Sequence, residues 1–244
     1  NPVTEILKTI CDTKDNRAVF LSIMAISWFW FLGASYLTQF NLYTKNFLFG
    51  DPFVATGLLT IFSIGIATGS LLCSKLSEGR VELGLVPIGS LGLTIFGVHL
   101  FFATPVNEMM AEREIWVFLE DSANYGVLFD LLMIGIFGGF YIVPLYALIQ
   151  ERSEEKTRAQ VIALNNVMNA VFMVASAVTA IIMLTVIEIT IPEYFLILAI
   201  MNGVVAIYVF QQVPEFVLRF CIWMLSHSMY RVSHRGLDHI PEEG

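Results

Sequence analysis

The sequence predicts an all-α membrane protein of six transmembrane helices with both ends on the cytoplasmic side. Three observations carry this expectation. Of the 244 residues, 57% are hydrophobic and only 14% charged, and mean hydropathy is +0.73, far from an average globular domain. Apolar runs fall at 19–40, 52–73, 83–104, 125–149, 161–187 and 192–211. Each suffices to cross a hydrocarbon core about 30 Å thick as a helix, which satisfies its own backbone N–H and C=O groups in lipid. Finally, Lys8, Lys14, Arg17, Lys75, Arg80, Arg152, Lys156, Arg158, Arg219, Arg231 and Arg235 all fall on one side of such a bundle. Cytoplasmic loops hold the excess of Lys and Arg, and only Lys45 and Arg113 of the 13 lie opposite.

Taken in order, residues 1–18 form a polar cytoplasmic arm. The chain does not open on Met, and its first apolar run is too long and aromatic for a cleaved signal sequence. A start inside a longer protein is expected. Within the first span Ser27, Phe31, Ser35 and Thr38 or Gln39 recur at helical spacing, a stripe that faces protein or a cavity. Trp28, Phe29, Trp30 and Phe31 add an aromatic wall. In the third span His99 has no charged neighbour in sequence and reads as a hydrogen-bonded packing residue.

The connection after the third span sets Glu108, Glu112, Glu114, Glu120 and Asp121 against a single Arg113, interleaved with Met109, Met110, Ile115, Trp116, Phe118 and Leu119. That pattern predicts a short helix on the outer membrane surface. Asp130 stands about one turn inside the fourth span. It has either a substrate or coupling role or an interfacial one at a helix N-terminus. Gly138, Gly139 and Pro144 allow close packing and bending.

After the charged hairpin 150–160, Asn165, Asn169, Ser176 and Thr179 fall at i, i+4, i+11 and i+14, on one side of the fifth span, with Asn166 beside them. Amides facing acyl chains would lose their hydrogen bonds, so this stripe makes interhelical bonds or lines a path for a polar headgroup. Asn202-Gly203 in the sixth span reads as packing. From Val213-Pro214 onward, 215–227 is amphipathic, and 229–244 runs from a short strand pattern into a turn.

The net charge of −8 is concentrated in the acidic connection and the tail, and nothing in it attracts nucleic acid. Cys11, Cys73 and Cys221 form no C-x-x-C and read as free thiols. No cofactor or metal motif is present.

The segment Gly69-Ser-Leu-Leu-Cys-Ser-Lys75-Leu-Ser-Glu-Gly79-Arg80 resembles a degenerate form of the Gly-x-x-x-Asp-Arg-x-Gly-Arg loop that joins the second and third helices of each half of major facilitator superfamily transporters. The resemblance implies a basic gating loop of Gly69, Lys75, Gly79 and Arg80, with Cys73 or Ser74 near the place of the family's Asp. The tail, with its Gly236-Leu-Asp-His-Ile-Pro241, resembles the opening of a glycerophospholipid acyltransferase domain, whose catalytic His-x-x-x-x-Asp does not occur here. No catalytic residue is therefore assigned, and the fragment is not expected to be an enzyme.

Together with Arg80-Val-Glu-Leu-Gly-Leu-Val-Pro-Ile-Gly89 and Tyr141-Ile-Val-Pro-Leu-Tyr-Ala-Leu-Ile-Gln-Glu-Arg152, these segments are similar to bacterial fusions of a lysophospholipid transporter with a 2-acylglycerophosphoethanolamine acyltransferase. The similarity implies a six-helix carboxy-terminal transporter half over 19–212 and a truncated α/β acyltransferase start over 213–244. It further implies a bacterial inner membrane, a partner amino-terminal half, a downstream acyltransferase domain, and inward movement of lysophosphatidylethanolamine or a related lysolipid for reacylation. Ser35, Gln39, Asp130, Asn165 and Asn169 are the candidate substrate contacts. Transport of another small solute, or a purely anchoring role for an acyltransferase, remain the alternatives.

Overall fold

The computed structural model describes residues 16–77, 83–105 and 112–212, together with Leu218, Ile222 and Leu225. The expectations for the amino-terminal arm, for Gly79 and Arg80, for the start of the acidic connection and for the acyltransferase-like tail lie outside the described residues.

Among the described residues, six helices are long and apolar enough to cross a membrane. They are α1 (Arg17–Phe47), α2 (Pro52–Leu76), α3 (Leu85–Ala103), α5 (Tyr125–Arg152), α6 (Arg158–Ile181) and α7 (Ile191–Gln212), with a short α4 (Ile115–Glu120) between α3 and α5. Among the described residues there is no strand, only one isolated bridge between Gly50 and Arg113.

Local chemistry sets the helix ends. The Asn16 carboxamide accepts from the Val19 amide at the start of α1, and the Asp51 carboxylate accepts from the Val54 amide at the start of α2, with Pro52 in the first turn. α1 runs seven residues past the apolar stretch that ends at Phe40, because Tyr43 and Thr44 still face inward and are buried. The chain then reverses through Phe49, which adopts a left-handed backbone (φ 49°). The expected surface helix is α4, with Phe118 buried and Trp116 and Val117 exposed. α6 closes with a π-helical turn, Ile182–Val186, and Glu188 turns back at φ 61°.

α5 packs between α2 and α3, α1 lies against α6, and α3 lies against α7, while α1 also touches α2, α5 and α7. α1 is accordingly the most enclosed helix and α6 the least, with 61% and 17% of their spans buried. Much of α6 is therefore left facing outward, bearing Val171, Val174, Val178 and Ile181.

Backbones approach most closely between α2 and α5. A Cβ on Gly139 would lie 2.6 Å from the Ser70 nitrogen, and one on Gly69 would overlap the Ile136 carbonyl. Only glycine permits this contact. Gly69 thus sits inside α2, where it permits a close helix approach ahead of Lys75 and the turn.

Six traversals place the start of α1, the α2–α3 turn, the α5–α6 hairpin and the end of α7 at one end, here the basic end. The α1–α2 turn, α4 and the α6–α7 turn occupy the other, acidic end. That end is held by a clasp. Arg113 donates from Nη1 to Asp121 Oδ2 and from Nη2 to the Leu48 carbonyl, both at 2.7 Å, and its guanidinium lies over the Phe118 ring. Backbone bonds Arg113 N to Phe49 O (2.7 Å) and Asp51 N to Arg113 O (3.1 Å) complete it.

Candidate functional site

The sequence-selected polar residues separate into three places. At mid-span, Ser27 Oγ donates to Asn169 Oδ1 (2.9 Å), Asn169 Nδ2 donates to the Tyr146 hydroxyl (3.5 Å), and the Trp30 indole N–H donates to the same hydroxyl (3.2 Å). This network joins α1, α5 and α6. Asn169 is buried behind it, whereas Trp30 is exposed and Tyr146 half-buried. Tyr146 oxygen accepts twice, so its own O–H remains to be donated, and no acceptor for it occurs among the described residues. Asn165, one turn away, is buried with its Oδ1 unpartnered.

Toward the acidic end, Ser35 is fully buried and accepts from the Tyr194 hydroxyl of α7 at 3.1 Å. Gln39 Nε2 reaches only Thr38 Oγ1, at 3.4 Å, and Gln39 Oε1 has no partner. On the outward side of this half of α1, Trp30, Leu37, Thr38, Asn41 and Lys45 form one continuous exposed face at helical spacing. Its apolar portion lies beside Tyr146 and its amide and ammonium groups lie at the acidic end.

The third place is between α3 and α5. Both carboxylate oxygens of Asp130 approach His99 Nδ1, at 2.9 and 2.7 Å. Asp130 is wholly buried, and the imidazole is 58% exposed. His99, which reads in sequence as a hydrogen-bonded packing residue, is thus hydrogen-bonded within the span, and its partner is the carboxylate of Asp130, 31 residues away. Position relative to helix ends is the signal that finds it. His99 lies four residues before the end of α3 and Asp130 five after the start of α5, so an antiparallel pair sets them at one depth.

The aromatic wall divides. Trp28 and Phe31 stack inside at 4.9 Å, and Phe29 stacks on Tyr141 at 6.0 Å, leaving Trp30 at the surface. Asn202 packs as expected, accepting from the Trp28 indole (3.0 Å) and donating to Ser90 O (3.1 Å) and Thr94 Oγ1 (3.0 Å). A cavity of about 30 Å³ beside it, lined mainly by Phe29, Leu32, Tyr36, Leu93 and Leu198, has room for little more than a water. Lys75 is exposed in the last turn of α2. Tyr146 is the residue that sequence reasoning missed, because an aromatic in an apolar run reads as core. Among the described residues, no three His, Cys, Asp or Glu side chains converge as a metal site would need.

Comparison with known proteins gives a consistent set of relatives. The chain is 29% identical over 160 residues to the lysophospholipid transporter LplT of Cronobacter sakazakii, covering 65% of this chain and 36% of that protein. It is 26% identical over 162 residues to LplT of Escherichia fergusonii, covering 63% and 36%. With LplT of an Enterobacter species it shares 29% over 147 residues, covering 60% and 32%. No family model matches the chain, and no solved structure matches it. The chain spans about a third of the length of these relatives, and the similarity is to a lysophospholipid transporter.

Proposed function

We propose that this chain is the carboxy-terminal half of a major facilitator transporter in a bacterial inner membrane, moving lysophosphatidylethanolamine or a related lysolipid inward for reacylation. The observation that carries this reading is its similarity to three lysophospholipid transporters. The exposed face of α1 suits such a substrate. Its Trp30 and Leu37 would flank the acyl chain; Thr38 and Asn41 would meet oxygens of the glycerol and phosphate at the acidic end of the path, and the free Tyr146 O–H would meet them once the headgroup has moved to the Trp30 end. Asn169 holds Tyr146 from behind, while Ser35, Gln39 and Asn165 form the polar layer beneath this face. The amino-terminal half would close over it and alternate with this one. Lys75, Gly79 and Arg80 belong to the gating turn at the cytoplasmic side, and the tail to a downstream acyltransferase domain that takes up the delivered lysolipid.

The test is lysolipid movement by the full-length protein in proteoliposomes, with Tyr146→Phe beside wild type. Loss of one hydrogen bond to a charged oxygen, about 1.5 kcal/mol, lowers transport about tenfold while the packing of the ring persists. Wild-type rates in Tyr146→Phe would remove Tyr146 from the site. A full-length protein that moves another solute but no lysolipid, or nothing at all, would leave the other-solute or anchor reading in its place.

A further inference from the structure

We infer that a groove at the acidic ends of α1, α3 and α7 is a site for a bilayer lipid with a phosphoethanolamine headgroup, an inference that does not depend on transport. The groove holds about 410 Å³. Its walls are Phe47 and Phe49 from the end of α1, Phe101, Phe102 and Pro105 from the end of α3, and Pro192 from the start of α7, with Asn46 and Thr104 as the polar members. An apolar cavity of about 150 Å³ accepts a benzene ring, so this volume takes roughly fifteen carbons, which is one acyl chain and not two.

Depth and direction suit a lipid of the leaflet at that end. Asn46 follows Phe40, where the apolar run of α1 stops, by nearly two helical turns, about 9 Å along the axis, which is headgroup depth. Phe101 and Phe102 still belong to the apolar run of α3, and Thr104 is level with Tyr43, to which it bonds at 2.8 Å. Phe102 is 72% exposed and continues the outward stripe of Leu91 and Ile95 on α3. The groove therefore opens onto lipid, and a chain leaving it runs down that stripe. One wall is held in place: Phe49 has a left-handed backbone, rare for an aromatic residue, and Arg113 fixes it through its own N–H to Phe49 O and through Nη2 to Leu48 O.

The rim carries the charges that a zwitterion needs. On the α1 side the Asn46 carboxamide is exposed, as is the ammonium-bearing Lys45 between this rim and the outward face of α1, and both suit phosphate oxygens. On the α7 side Glu193, next to Pro192, is exposed. Its Oε2 holds the Thr190 amide and hydroxyl, at 2.8 and 2.7 Å, which leaves Oε1 for an ammonium. The Thr104 hydroxyl is already engaged by Leu100 O and Tyr43 and adds no contact. A primary ammonium donates to the carboxylate, whereas a choline has no N–H to give and a glycerol headgroup brings no cation to Glu193. Phosphoethanolamine is the headgroup that meets both sides of the rim.

The test uses the full-length protein, stripped of lipid in detergent, with its melting temperature read as phosphatidylethanolamine, phosphatidylglycerol or phosphatidylcholine is added. Phosphatidylethanolamine is expected to raise it at a several-fold lower concentration than the other two. Glu193→Gln keeps an oxygen for Thr190 and should weaken the phosphatidylethanolamine effect about fivefold, to the level of phosphatidylcholine. Asn46→Trp fills the groove from an exposed position and should abolish the effect. Phosphatidylethanolamine with a photoreactive diazirine in one acyl chain should mark Phe101 or Phe102, located by mass spectrometry. Equal effects of the three lipids, an unchanged phosphatidylethanolamine effect in both variants, or labelling only elsewhere overturns the inference. Displacement of the photoprobe by lysophosphatidylethanolamine at lower concentration than by phosphatidylethanolamine overturns it too, because the groove would then belong to the transported lipid.

Discussion

At the scale of single residues, the buried amides do different jobs that their shared chemistry does not distinguish. Asn202 is engaged on both oxygen and nitrogen, tying α1, α3 and α7 together through Trp28, Ser90 and Thr94. Gln39 has one weak contact and a free oxygen at the edge of the exposed face of α1. Asn202→Leu should therefore destabilise the fold by about 1–2 kcal/mol, since it loses three interhelical hydrogen bonds that average about 0.6 kcal/mol each in lipid. Gln39→Leu should leave stability unchanged, and any loss it causes should appear in lysolipid transport. Thermal unfolding in detergent, read beside transport by the same preparations, checks both. Equal melting losses in the two variants would show Gln39 to be a packing residue. In sequence both positions are only amides in apolar helices, and only the partners supplied by other helices separate them.

At the scale of elements, the seam between α2 and α5 is set by glycine at successive turns: Gly65 against Gly135, and Gly69 beside Gly139. Gly139→Ala inserts a methyl against the Ser70 backbone, which cannot yield as a flexible side chain could. A loss of about 1–3 kcal/mol is expected, visible as a lower melting temperature in detergent, whereas Gly33→Ala, with nothing near its missing Cβ, should melt like wild type. The clasp at the acidic end gives a second element-scale prediction. The Ala123 amide, and then the Arg113 guanidinium, hold the Asp121 carboxyl below its ordinary value. A depressed value means that the clasp adds stability above the unfolded carboxyl's pKa of about 3.9 and loses it as pH falls further. Hydrogen exchange at the Arg113 amide should accelerate relative to its intrinsic rate below that pH, and Asp121→Asn should abolish the change. The six spans were legible from hydrophobic length alone, and Gly138-Gly139 announced a close contact. The helix that received it was not legible, nor was the Arg113 clasp, because both depend on contacts between segments far apart in sequence.

At the scale of the whole molecule, the arrangement of spans turns local charge into an orientation. The α5–α6 hairpin gathers Arg152, Lys156 and Arg158 at the basic end, and the exposed Trp116 of α4 lies at the acidic end, as do Lys45 and the Arg113–Asp121 pair. Since Lys and Arg are retained on the cytoplasmic side, the α5–α6 hairpin should face the cytoplasm and α4 the opposite compartment. The same orientation would put the ammonium of Lys45 and the imidazole of His99 toward the outer leaflet, the side from which the proposed inward movement would start. It can be read by replacing every native cysteine of the full-length protein, Cys11, Cys73 and Cys221 among them, and introducing single cysteines as Trp116→Cys or Glu155→Cys. A membrane-impermeant thiol reagent should label the α4 position in cells whose outer membrane alone has been opened. The hairpin position should label only after the inner membrane is also opened. The reverse pattern would invert the molecule; labelling of both positions from one side would break the six-span count.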